Sequence, residues 1–193
     1  YLYQEALIHG NSKNLRIDAG LGMVNIHIAK GDLESAEKKC ADLIQKAPDV
    51  LEYQIKSVQI LFYQGEFDQT DAKLHEIVDQ LPMDNYSVND ILDVMAVLIV
   101  FRHNQEEFVD FAKVQLNIQQ NKRTEALEKL EALFDTNEIY IADMCRYQNA
   151  WLTFLQGDAE LTKKQLSKIE NETIFKELAH IFQAEILDFI DKD

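Results

Sequence analysis

Chemistry needs partner groups at set spacings, and here the candidates are scattered. The five histidines, His9, His27, His75, His103 and His180, lie far apart in the chain. No HExxH pair places two imidazoles on one helix face for zinc. No CxxC supplies neighbouring thiolates, and no glycine-rich loop could cradle phosphate. His75 and Glu76 are adjacent, but neighbours at i,i+1 do not share a helix face. The two cysteines, Cys40 and Cys145, sit in separate helical patterns and read as small apolar core residues. Carboxylates number 34, yet no pair is set in the apolar context that raises a pKa for acid–base work. The expectation is a protein that is not an enzyme, with no catalytic residue, no metal site and no cofactor.

Charge narrows the partners. Lys and Arg total 19 against 34 Asp and Glu, a net charge of −15. Such a chain repels phosphate backbones and anionic membrane surfaces, so no nucleic-acid partner is expected. Hydrophobic residues make up 47% of the sequence, enough for a real core. Glycine (6) and proline (2) are scarce while helix formers abound, which predicts an all-α chain. The longest apolar run, ILDVMAVLIVF at 91–101, contains Asp93 and is too short to cross a bilayer. It reads as a buried helix, and no direct membrane insertion is expected. The chain begins at Tyr1 without a charged-then-apolar leader, which suggests a piece of a longer protein and leaves the compartment open.

The elements follow from punctuation. Gly31 and Gly65 are 34 residues apart, and so are Pro48 and Pro82. Leu15, Leu21, Val24 and Ile28 form an apolar stripe over 13–29, which Gly31 ends. Leu33, Ala36, Cys40, Leu43 and Ile44 share a face of a second helix over 33–46, which Pro48 stops. The same order recurs: a helix at 50–63, Gly65, a helix at 67–80, Pro82. It persists in worn form if Asn121 stands in for the turn glycine, since Asn tolerates left-handed backbone. Gly157 repeats the turn, and FIDKD (189–193) echoes FLQGD (154–158). From Gly65 to Asn121 is 56 residues, more than one period, and the excess predicts an extra helix near 88–102.

A helix–turn–helix unit of this length, with glycine at the turn, a small residue five positions on and a closing proline, resembles the tetratricopeptide repeat. Gly31, Ala36 and Pro48 match all three features; Gly65 and Pro82 match with Thr70 in place of Ala. The resemblance is strong over 13–84 and weak over 105–193. It implies a right-handed α-solenoid of stacked antiparallel helix hairpins. The repeats would run at about 17–50, 51–84, 105–136 and 137–170, with a truncated repeat helix at about 172–193, all within one domain spanning 1–193. The aromatic expected early in each first helix is absent, its places being taken by Gly20, Gln54, Asp110 and Arg146. The pattern is similar to long bacterial repeat proteins that are often exported, so the resemblance alone tilts the place towards the periplasm or cell envelope.

The resemblance also implies a concave face built from the first helices. Carried over position by position, that face takes Asn25 from the first repeat, Gln59, Phe62 and Tyr63 from the second, Gln115 from the third, and Tyr147, Trp151 and Phe154 from the fourth. Rings supply contact area and amides pair with main-chain groups, which suits a protein or peptide partner. Each ring has a plainer alternative as a core residue. The cationic clamp for acidic peptide tails is not expected, because Leu21, Ile55 and Gln59 occupy its places. The alternative function is structural. A final helix carrying Phe175, Leu178, Ile181, Phe182, Ile186 and Phe189 would stand unpaired and could join two copies as a homodimer.

Overall fold

The computed structural model describes residues 2–78 and 88–190. Among these residues there are eleven helices and no strand. They are α1 (Leu2–His9), α2 (Lys13–Lys30), α3 (Leu33–Lys46), α4 (Leu51–Gln64), α5 (Phe67–Val78) and α6 (Val88–Phe101). There follow α7 (Gln105–Gln119), α8 (Arg123–Ala132), α9 (Ile139–Phe154), α10 (Ala159–Leu166) and α11 (Ile174–Ile190). The chain is all-α, as composition predicts. The closing proline at 82 and the end of the FIDKD echo lie outside the described residues. No described helix is long and apolar enough to cross a membrane.

Among the described residues, positive φ occurs at Gly31 (78°), Gly65 (78°), Asn121 (58°) and Gly157 (91°). These are the four turn positions that the spacing picks out. At Gly31 the turn residue donates to the Ile28 carbonyl and Asp32 donates to that of His27. Gly65 and Glu66 do the same to Phe62 and Leu61, and Gly157 and Asp158 to Phe154 and Thr153. This double bond closes a helix only when its last residue turns left-handed. Asp32 and Asp158 then cap the following helix, their carboxylates accepting from the Ser35 and Leu161 amides at 3.1 and 2.9 Å.

Burial keeps the same register. Seven residues before each turn stand Val24, Val58, Val114 and Ala150, none more than 1% exposed. Five residues after it stand Ala36, Thr70, Ala126 and Thr162, all fully buried. The two threonines fit among alanines because each hydroxyl bonds back along its own helix. Thr70 Oγ1 donates to the Glu66 carbonyl at 2.7 Å, and Thr162 Oγ1 to that of Asp158 at 2.7 Å. Nine residues after the turn stand Cys40, Leu74, Leu130 and Leu166, again buried.

The chain divides into two compact units, Tyr1–Asn121 and Lys122–Asp193. The division falls at the Asn121 turn, inside the repeat expected at 105–136. In the first unit α1 packs on α2, α2 pairs with α3, and α4 pairs with α5. The first helices also pack on one another, α2 against α4 and α4 against α7. Gln120, at the end of α7, donates to the Ile28 carbonyl at the end of α2 (3.1 Å). The additional helix, α6, packs chiefly on α5 and leaves the α4–α7 packing in place. In the second unit α9 pairs with α8 and α10, and α11 lies against both α9 and α10.

Two expectations about faces need correction. Early in α2 the buried residues are Ala19 and Gly20, while Leu15 is 47% exposed. The reason is Tyr53 of α4, whose ring fills the space beside Gly20: a Cβ there would lie 2.7 Å from its hydroxyl. Helix α6 is not buried all round. Ile91, Leu98 and Phe101 are buried, but Leu92 and Ile99 are 53% and 64% exposed. It packs by one stripe, since α5 and α7 cover only one side.

The turns generate a test. Gly31→Ala should destabilise the protein by about 1–2 kcal/mol, because an L residue with a Cβ is strained at positive φ. Asn121→Gly should stabilise by up to about 1 kcal/mol for the same reason. Urea unfolding of both variants checks the pair. Equal stability of all three proteins would show that the turns carry no strain.

Candidate functional site

Helix α9 carries the densest group of the rings singled out from the sequence. Tyr147, Trp151 and Phe154 recur at four and three residues, so one face presents all three. Opposite them α11 sets Phe175 and Phe182. Phe182 is buried and central, with ring centroids 5.2 Å from Trp151, 5.3 Å from Phe154 and 6.1 Å from Tyr147. Phe175 lies 6.1 Å from Tyr147. Under the rings is an apolar bed of Ala150, Leu166, Ile169, Ala179 and Ile186. Burial, with a smaller push from Glu185, raises the Tyr147 hydroxyl above the usual phenol range. Trp151 is held on two sides yet remains 44% exposed. Four residues on, Leu155 is 48% exposed.

A buried charge fixes α9. Asp143 has no exposed surface. Its carboxylate accepts from Arg146 Nη1 (3.1 Å), Asn171 Nδ2 (3.0 Å) and Thr173 Oγ1 (2.9 Å). Arg146 also donates to the Phe134 carbonyl at 2.8 Å and lies over the Phe134 ring, 5.4 Å from its centroid. One carboxylate thus ties together the segment after α8, helix α9 and the connection into α11. Neither the repeat spacing nor any short motif points to it. The only cue is that Asp143 and Arg146, at helical spacing, are the two charged residues of this helix.

The remaining candidates lie in the first unit. Asn25 is exposed on α2. Gln59 of α4 is half-buried and engaged at both ends, donating to the Tyr63 hydroxyl (2.9 Å) and accepting from Lys56 Nζ (2.5 Å). Phe62 and Tyr63 are core rings, 5% and 8% exposed. Phe62 packs edge-on against Phe108 of α7 at 5.3 Å, which is how α4 meets α7. These two rings offer little face to a partner. Gln115 is half-buried on α7. The structure therefore gathers Tyr147, Trp151 and Phe154 into one cluster and spends Phe62 and Tyr63 on packing. The sequence names Phe182 and Ile186 as residues of an unpaired face; both are instead buried against α9 and α10.

Among the described residues no group of three His, Cys, Asp or Glu side chains is placed to hold a metal ion. Cys40 and Cys145 are buried free thiols. Burial pushes them up to about 11 and about 12, so neither is a thiolate nucleophile at neutral pH. Comparison with protein-family models, curated proteins and solved structures gives no match to the chain.

The Asp143 network yields a prediction. Arg146→Met keeps the apolar stem but leaves a buried carboxylate without its cation, and should cost about 3 kcal/mol. A loss below about 1 kcal/mol in urea unfolding would mean that the neutral donors Asn171 and Thr173 suffice.

Proposed function

We propose that the chain is a tetratricopeptide-like helical repeat protein acting as a non-catalytic scaffold that binds a protein or peptide. The repeated burial around four left-handed turns supports the repeat reading, and a right-handed stack of hairpins is what the resemblance implies. The observation that carries the binding reading is Trp151. It is the chain's single tryptophan, wedged against Phe182 and Phe154, and nearly half of it faces outward. A rigid half-exposed ring loses little freedom when a partner covers it, and such rings dominate binding energy at interfaces. Leu155 extends the apolar contact. Trp151→Ala, first shown by circular dichroism to be folded, should weaken capture of the natural partner from cell extract by about tenfold or more. Equal capture by both proteins would remove Trp151 from the interface and this reading with it.

A second reading, self-association, is favoured by α11. Ile174, Ile181 and Leu187 are 64%, 57% and 52% exposed on that helix. Ile174 and Ile181, seven residues apart, share one face of the helix, and a homodimer sealed through that face would hide them. Sedimentation should then show a dimer that Ile181→Lys returns to monomer. A wild-type protein that stays monomeric at about 100 μM would sink the idea.

A further inference from the structure

In this acidic chain the first unit holds a pocket where cations outnumber carboxylates. A cavity of about 450 Å³ opens where the start of α2, the end of α3 and the start of α4 meet α1. That volume is in the range that encloses a small organic ligand. Its floor is Leu43, Val50 and Tyr53, each only 3% exposed, and its walls include Leu7 and Ile17. The charged residues lining it are Lys13, Arg16, Lys46 and Asp49: three cations against one carboxylate, in a chain whose net charge is −15.

The cations are not equally free. Lys13 pairs with Asp49 at 3.1 Å, and Lys46 with Asp42 at 2.8 Å. Both are exposed pairs of the kind that contributes little and exchanges readily. Arg16 has no carboxylate within 4 Å among the described residues. Its Nη1 donates to the Gly10 carbonyl at 2.8 Å, which holds the guanidinium in place and leaves most of its five donors unspent. The backbone beneath it is held too, since the Tyr53 hydroxyl donates to the Arg16 carbonyl at 3.4 Å. An apolar floor with an anchored, unpaired guanidinium at its rim matches one chemistry: an apolar body ending in a carboxylate, received two-pronged by the Arg fork. The surrounding negative charge disfavours larger polyanions, which would meet repulsion beyond the rim.

We propose that this cavity binds a small amphipathic carboxylate, with the chain on Leu43, Val50 and Tyr53 and the head on Arg16. The site is independent of Trp151 and of the partner-binding reading.

Titration calorimetry of the whole protein with sodium dodecanoate at low salt tests it. The expected result is saturable one-site binding with a Kd below about 1 mM. Arg16→Met, which keeps the stem, should weaken binding by about tenfold or more. Arg123→Met, in the second unit, should leave it unchanged. Dodecyltrimethylammonium has the same tail with the opposite charge, and it should not displace the carboxylate. Should Arg16→Met prove unfolded by circular dichroism, Lys46→Met serves in its place and should weaken binding several-fold, as loss of one flanking cation does. The proposal is overturned by absence of saturation. It is equally overturned by unchanged affinity in the folded variant or by displacement with the cationic analogue. A leucine-terminated peptide that binds where dodecanoate does not would assign the pocket to a protein C-terminus instead.

Discussion

A residue that can turn left-handed is the constraint on which this fold depends. Each of the four turns closes a helix by passing one residue through positive φ, and the next helix begins almost at once. With no slack in the connection, the positions that can face inward are set by their distance from the turn. That is why the same offsets are buried at Gly31, Gly65, Asn121 and Gly157, although the residues filling them differ. The closest approaches need small side chains, and threonine is accepted only because its hydroxyl is satisfied within its own helix.

The second unit adds a different kind of restraint. Apolar packing between α9 and α11 is non-directional and would tolerate sliding. The Asp143 carboxylate is directional: Arg146, Asn171 and Thr173 must all reach it at once. Such a network is costly to bury unless complete, so it acts as a register pin for α9. The pin and the rings occupy the same helix. The position of Trp151 over Phe182 is therefore inherited from a polar contact two turns earlier.

Periodic features were legible in the sequence and singular ones were not. The turn at Asn121 could be read because three glycines of the same pattern bracket it. The extra helix could be read because an interval was too long. The packing of Gly20 against Tyr53 could not, because apolar spacing marks large residues and this contact is made by the absence of a side chain. Phe62 and Tyr63 could be placed on a helix face but not told apart from groove residues, since an aromatic suits either. Asp143 was silent for the opposite reason: a single buried acid leaves no period, and its partners are up to 30 residues away.

The extra helix has a consequence of its own. The first helices α2, α4 and α7 keep their mutual packing although α6 has been spliced between the second and third of them. The direct packing of α4 on α7 therefore does not run through α6. Helix α6 is nonetheless built into the core: Phe101 is fully buried, its ring 5.9 Å from Phe108 and 5.1 Å from Phe111, so a change in this helix is felt at α7 as well as on the outer surface.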